Sequence, residues 1–452
     1  MSGTGQITMK QEAFRTIRLA LPIIVGNLAQ IALGTLDSAM VGAIDYKQLA
    51  AGSLVINMLG IPYVICIGMT MSVSPIVAAA NGQHDHKKVS HFLYNGFILC
   101  SLIAVLVALL VEFGSPLVFH IGQDPEVARL AYPYLRIMGW STIPMIMFLA
   151  LIQFADGLEH TEVAMILSLV TLPVNAFLNW LLIYGNWGFP RMEIVGAGVG
   201  TLVTRTLVLL ILVSVIVFHR HFKKYVLVRR STWQVTWKSL GALLRIGIPS
   251  SMQYGMEAGA FAISGLMVGT IGATEQAAHQ IALNTAATAF MVSLGLSQGG
   301  AIRVSNAWGR SDLSGVRRIG LSTLFTALIY GGICAVCFIA FRHLLPYAFT
   351  DNLPVVQLAS GLMLLAAFFQ ISDSVQATCV GLLRGIRDVN IPTAFVAVAY
   401  WVIGIPCGYF LAFHAGWGAY GIWTGFVIGL TLSAVLLTGR FITLSRKIRK
   451  SS

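Results

Sequence analysis

Apolar residues along this chain come in long stretches broken by short polar segments. Twelve such runs can be drawn, at 14–41, 52–80, 92–113, 132–154, 163–184, 195–218, 243–269, 277–304, 319–341, 355–383, 391–414 and 419–441. A helix needs roughly 20 apolar residues to cross about 30 Å of hydrocarbon, and every run meets that length. No ten-residue segments alternate between apolar and polar positions, so a membrane β-barrel is not supported. The pattern predicts an all-α integral membrane protein with twelve transmembrane helices. The N-terminal stretch MSGTGQITMKQEAFRTIR is polar and basic, and no small-residue cleavage pattern follows a short apolar core. The first run is therefore expected to stay as a span rather than leave as a signal peptide.

Composition narrows the class further. Of 452 residues, 57% are hydrophobic and 10% are charged, whereas soluble domains carry roughly 25% charged residues. Those figures exclude an ordinary cytosolic enzyme, a disordered chain, a collagen and a disulfide-stapled secreted domain. The net charge of +12 would suggest nucleic acid in a soluble protein. Here it has a simpler origin. Basic residues gather in alternate loops: Lys10, Arg15 and Arg18; Lys87 and Lys88; Arg220, Lys223, Lys224, Arg229, Arg230 and Lys238; Arg310, Arg317 and Arg318; Arg384 and Arg387; and Arg446, Lys447, Arg449 and Lys450. Basic loops stay cytoplasmic, so both termini are expected there, which requires an even number of spans. The six cysteines all lie in apolar runs, and the Cys334–Cys337 pair falls inside a lipid-length segment. They read as small apolar helix residues rather than a redox or metal motif.

The basic stretch around 219–242 divides the spans six and six, giving expected lobes at 1–218 and 243–441 and a basic tail at 442–452. The halves are related. An offset of 227 residues places Pro22 on Pro249, Met40-Val41-Gly42 on Met267-Val268-Gly269, Asn57 on Asn284, Gly68 on Gly295 and Asp85 on Asp312 without a gap. With six spans per half, both halves enter from the same side, so the repeat is parallel, about an axis along the membrane normal. Asp37 falls on Ser264 and Glu257 on Gln30: the scaffold repeats, while the acids are placed individually.

Most of the charge lies at loops and helix ends, but three carboxylates do not: Asp37 in the first run, Glu257 in the seventh and Asp373 in the tenth. Each costs about 2.5–3.5 kcal/mol at a helix centre on insertion scales, and such residues normally face a bundle interior or a wet cavity. A carboxylate held there can take up a cation on one side and release it on the other. Arg205 in the sixth span is the conspicuous embedded base, and it reads as a packing or snorkelling residue. Amides accompany the acids. Gln30 lies two helical turns before Asp37, and Gln253 lies one turn before Glu257. Asn175 and Asn179 share a face of the fifth span, and Asn57, Gln280 and Asn284 sit in the second and eighth. Any one amide is accounted for by an interhelical hydrogen bond. Together they suggest a polar-lined cavity, to which Tyr254, Phe261, Phe290 and Phe369 could add faces for flat cations.

No GxxxxGK[ST] loop or HExxH is present, and the GxSxG match at Gly295–Gly299 lies inside an apolar helical run rather than on a strand-to-helix turn, so neither an ATP motor nor a familiar hydrolase is expected, and no cofactor. His84 with His86, and His219 with His221, lie in basic loops and read as solvated surface. The leading function is exchange of a cation for an organic cation. The alternative is a flippase for a lipid-linked precursor on a related two-lobed fold, which would want bases rather than acids in the cavity.

The chain also resembles the multidrug and toxic compound extrusion (MATE) transporters, in their NorM-like bacterial branch. The resemblance rests on LALPIIVGNLAQIALGTLDSAMVG, on its repeat RIGIPSSMQYGMEAGAFAISGLMVG, on FFQISDSVQATCVGLLRGIRD, and on VGAGVGT and GAYGIWTG. It implies two six-helix lobes and export of small cationic amphipathic drugs in exchange for Na+ or H+. It also implies a monomer among the lipids of a bacterial inner membrane, with no nucleic-acid partner. On this resemblance Glu257 and Asp373 match the coupling-cation acids of the second lobe, with any Na+ held there. Asp37 with Asn175 and Asn179 matches the first-lobe site, and Asp351 a position implicated in substrate contact. Some relatives carry Tyr where this chain has Phe369; the lost hydroxyl leaves Na+ and H+ both open.

Overall fold

The computed structural model describes residues 8–227 and 230–450, excluding the side chains of 230, 231 and 448–450. The basic side chains of Arg229, Arg230, Arg449 and Lys450 therefore lie outside the described residues. The chain folds as α1 (Met9–Gly42), α2 (Tyr46–Thr70), α3 (Val73–Gly82), α4 (His86–Gly114), α5 (Pro125–Gly157), α6 (Thr161–Tyr184), α7 (Glu193–Phe218) and the short α8 (Arg220–Lys223) and α9 (Arg230–Trp233). It continues through α10 (Trp237–Ile271), α11 (Ala273–Gly309), α12 (Leu313–Phe341), α13 (Leu353–Gly385), α14 (Asn390–Ala397), α15 (Ile405–Tyr409) and α16 (Ala419–Lys450). π-helical turns at Val398–Gly404 and Phe410–His414 join and extend α14 and α15 into one span. Eleven described segments are long and apolar enough to cross a bilayer, with α2–α3 counted together. α10, of similar length, is the twelfth; its serines, Gln253 and Glu257 make it less apolar. The expected spans are all present. The helices overrun most of the apolar runs by several residues, because polar caps and amphipathic first turns extend a helix beyond the part that hydropathy detects.

The chain forms two compact units. One comprises Met1–Ile24 and Met252–Ser452, the other Val25–Ser251. Against the expected lobes at 1–218 and 243–441, the difference lies in the first helices. Residues 9–24 of α1 belong with the later helices, and the start of α10 belongs with the earlier ones. Both boundaries fall two residues after a proline, Pro22 in α1 and Pro249 in α10. A proline lacks the N–H that would bond to the preceding turn.

The repeat seen in the sequence acquires physical content here. A Cβ on Gly68 would stand 2.5 Å from Ser251 Cα, and one on Gly295 would stand 2.3 Å from Ile24 Cγ1. Each glycine lets the first half of α10 or α1 lie against it. Ser251 seals its crossing by donating from Oγ to the carbonyl of Ile65 at 2.7 Å. Asp85 and Asp312 are equivalent N-caps: Asp85 accepts from the Lys88 amide at 3.0 Å and Asp312 from the Gly315 amide at 2.8 Å. The preceding residues, His84 and Ser311, both take the left-handed conformation, at φ 56° and 60°.

In the unit with the later helices, the core gathers Trp423, Phe441, Leu362, Met363 and Phe369. α1 is fastened within it through Glu12, which is 1% exposed and pairs with Arg303 of α11 and Arg318 of α12. Arg303 also donates to the Glu12 carbonyl at 2.8 Å and to Thr16 Oγ1 at 2.7 Å. On α16, Gly421, Gly425 and Gly429 repeat every fourth residue, and a Cβ on Gly425 would meet the Gly404 carbonyl oxygen and Gly408 Cα at 2.5 Å. Small residues at such spacing let helix backbones touch in a membrane. Gly425→Val should therefore force this contact apart at a cost of about 1–3 kcal/mol or more. A fall in the melting temperature of the detergent-solubilised protein, larger than for Gly439→Ala in open space, is the expected reading.

In the other unit, Val55, Leu59, Leu135 and Ile183 are core residues. The basic stretch expected as a linker at 219–242 is docked. Tyr225 donates to Asn81 Oδ1 of α3 at 3.1 Å, and the Leu227 amide donates to Ser90 Oγ of α4 at 3.2 Å. The Thr236 amide donates to Asn95 Oδ1 of α4 at 3.2 Å, and the His91 ring meets Ser239 Oγ at 2.7 Å. His219 and His221 are exposed, as expected of a solvated loop; their rings stack at 5.1 Å, and His221 lies 5.3 Å from His160. Burial, then the neighbouring His221, Lys224 and His219, hold His160 below the usual histidine range.

Candidate ion and substrate sites

Asp37 sits half-buried near the C-terminal end of α1, where α6 and α7 meet it. Asn175 and Asn179 are four residues apart on α6, so both side chains fall on one face, and both are fully buried. Their Nδ2 groups donate to Asp37 Oδ1, Asn179 at 2.7 Å. Thr201 of α7 donates from Oγ1 to Asp37 Oδ2 at 3.4 Å. The amide oxygens of Asn175 and Asn179 are buried and accept nothing. The arrangement thus gathers a carboxylate, a hydroxyl and two amides that turn their Nδ2 groups to it, with the amide oxygens left unpaired beside them. The sequence-predicted trio comes together; Thr201 is an addition. Its signal lay in the VGAGVGT run at the start of α7, which carried the resemblance but contributed no site residue. Arg205, one turn further along α7, donates to Ser141 Oγ of α5 at 2.6 Å and lies over the Tyr63 ring at 5.8 Å. It packs three helices, in line with its reading as a packing residue.

The second cluster lies between α10 and α13. Gln376 Nε2 donates to Glu257 Oε1 at 2.9 Å. Both residues line a narrow, half-open cavity of about 10 Å³, room for about one water, with Gln253, Tyr254, Phe290, Ser297 and Arg384. Asp373 lies one turn before Gln376 on α13 and is 4% exposed; its Oδ2 has no hydrogen-bond partner. Neither amide atom of the fully buried Gln370 has one either. Buried polar atoms left unpaired cost about 1–3 kcal/mol each, so their grouping beside an embedded acid marks a place kept polar against that cost. Among the described residues, no ion pair involves Asp37, Glu257 or Asp373. Nor do three or more His, Cys, Asp or Glu side chains converge there as a metal site.

Other expected cavity residues stand elsewhere. Gln30, Asn57 and Asp351 are exposed and join neither cluster. Gln280 donates to Asn284 Oδ1 at 3.0 Å along α11, both exposed. Phe261 and Phe369 belong to an aromatic core with Trp423 and Phe426; Phe369 lies 5.6 Å from Trp423 and Phe261 5.0 Å from Phe426. Their rings pack against one another instead of facing the cavity. Arg384 departs furthest from its sequence pattern. Its place at a helix end groups it with the basic loops, yet it is 4% exposed in the cavity wall.

A twelve-helix membrane protein built as a parallel repeat, with acids held inside each half, has the architecture of a multi-pass transporter. The family model described as MatE matches residues 22–181 and again 249–410, starting at the two repeat prolines. The chain belongs to the MatE family. Curated relatives include the "Probable multidrug resistance protein NorM" of Rhizobium meliloti (strain 1021), 36% identical over 96% of this chain and 94% of its own length. Among solved structures, one described as MATE in the bent conformation matches with a TM-score of 0.89 at 18% identity, covering 100% of this chain and 99% of that one. The eukaryotic MATE transporter AtDTX14 matches with a TM-score of 0.87 at 20% identity, covering 98% of this chain and 99% of that one.

Proposed function

We propose that this protein is a secondary active transporter that exports organic cations and drugs in exchange for Na+ or H+. It works by alternating access of its two six-helix lobes, as a monomer in a bacterial inner membrane with both termini cytoplasmic. The observation that carries the reading is the trio of span-embedded acids, none of which forms an ion pair among the described residues. In the first lobe, Asp37 with Asn175 and Asn179 forms a coupling-cation site. In the second, Glu257 and Asp373 serve as the coupling pair, and Gln253, Tyr254 and Phe290 supply the polar and aromatic wall for drug. A neutral carboxyl or an ion-occupied carboxylate removes the cost of a bare buried charge, so cation binding shifts the balance between the inward-open and outward-open packings. Each net charge moving inward through 100 mV releases about 2.3 kcal/mol, enough for more than a tenfold drug gradient at about 1.4 kcal/mol per tenfold; one ion exchanged for one monocationic drug is electroneutral and draws on the ion's concentration gradient alone.

Everted vesicles containing the protein, loaded inside with Na+ or acidified inside, should accumulate ethidium until an ionophore collapses the gradient. Both gradients are compared at matched potential. Accumulation driven by one cation and not the other identifies the coupling ion. Accumulation indifferent to both would overturn the antiport reading.

A further inference from the structure

Arg384 lies in the last turn of α13. Helical side chains lean toward the helix N-terminus, so this one reaches back along α13 rather than out into the following loop. The result is a guanidinium 4% exposed, lying 5.7 Å from the centre of the Tyr254 ring on α10. Its Nε has no acceptor. The nearest acid in sequence, Asp388, is already committed to Arg440, which donates to it at 2.8 Å. An arginine keeps its charge under all accessible conditions, and a buried charge requires compensation. The acid lining the same cavity is Glu257.

We propose that Arg384 is a built-in counter-cation for Glu257, which competes with the coupling ion and sets how tightly that ion is held. This rests on the reading of Glu257 as a coupling-ion site. With the ion gone, the guanidinium offsets the bare carboxylate and lowers the cost of release. With the ion bound, two positive charges share one cavity, and binding is weakened. Arg384 is thus a positioning residue that acts through Glu257. The tether keeps the exchanger from trapping its ion, trading affinity for turnover. The aromatic face of Tyr254 holds the guanidinium while the carboxylate is occupied.

The test uses the full-length protein in proteoliposomes, with ethidium as the transported probe. The half-saturating concentration of Na+ at fixed pH, and of H+ at fixed Na+, is measured for the parent, Arg384→Met, Arg384→Gln and Arg384→Lys. Loss of the charge should lower the half-saturating concentration of the driving cation roughly tenfold, equivalent to about 1.4 kcal/mol. The maximal rate should fall at the same time. Arg384→Lys, which keeps the charge, should stay near the parent. Should Arg384→Met fail to insert, Arg384→Gln carries the same expectation. A merely structural arginine would lower the melting temperature and leave cation affinity unchanged or weakened; that result overturns the proposal while the antiport reading stands. A parent protein indifferent to both cations overturns the antiport reading, and the counter-cation role with it.

Discussion

Glu257→Gln and Asp373→Asn should each bring cation-driven ethidium efflux down to the level of vesicles without the protein, while the variants still insert and fold. Both changes keep the shape of the side chain and remove its charge. In Glu257→Gln the retained carbonyl oxygen can still accept from Gln376 Nε2, which sits 2.9 Å from Oε1 in the parent, so the helix contact survives. Burying a carboxylate costs about 2.5–3.5 kcal/mol, and the amides relieve that cost. Asp373→Asn should accordingly melt at the same temperature as the parent or higher, whereas Glu257→Gln also leaves the buried Arg384 without its acid and should melt somewhat lower. For Asp373, lost transport with undiminished stability is the signature of a group retained for its charge. Efflux at the parental rate in either variant would remove that residue from the coupling pair, and a collapse in the melting temperature of Asp373→Asn would make that acid structural.

The largest effect on stability should come from Glu12. Its carboxylate, 1% exposed, is shared by Arg303 and Arg318, with Arg318 Nε at 2.8 Å. Removing one member of a buried ionic cluster costs about 3–5 kcal/mol, because the remaining charge stays buried without its partner. Glu12→Ala leaves Arg303, itself only 12% exposed, with Thr16 and a backbone carbonyl for company. A marked drop in melting temperature and in the yield of folded protein is expected. Pairing Glu12→Met with Arg303→Met should recover much of the loss, since apolar replacement of a buried pair is often neutral and Arg318, 31% exposed, can turn to water. If Glu12→Ala melted within a degree or two of the parent, the clamp would hold nothing.

The apolar runs made the twelve spans legible, because crossing a bilayer leaves a length and composition mark that few other structures share. The repeat was equally visible, and the structure supplies reasons for its matched positions. Gly68 and Gly295 are crossing points, and Asp85 and Asp312 are caps. The grouping of Asp37 with Asn175 and Asn179 followed from the resemblance rather than from spacing, since the residues lie 138 and 142 positions apart. Three kinds of information were not in the pattern. Hydropathy treats a helix as one object, so it could not show that α1 and α10 each divide their contacts between two units. An amide in a span reads the same whether it faces a site, as Gln376 does, or lies exposed, as Gln30 and Asn57 do. A basic residue at a helix end counts toward orientation whether it points outward or, like Arg384, folds back inward.

The fastening of α1 also bears on how the protein is made. Glu12 and Arg318 are 306 residues apart, and chains are synthesised at about 5–20 residues per second. For roughly 15–60 s the first helix waits on a ribosome-bound intermediate with its anchoring acid unmatched, its partners in α11 and α12 not yet made. The start of α10 has no such delay, because the helices it joins have already emerged. Folding of the earlier unit can thus finish during translation, whereas the later unit closes only when its oldest segment is collected by its newest helices. Insertion factors and quality-control proteases would meet the chain in that interval, with the N-terminal helix as its longest-exposed part.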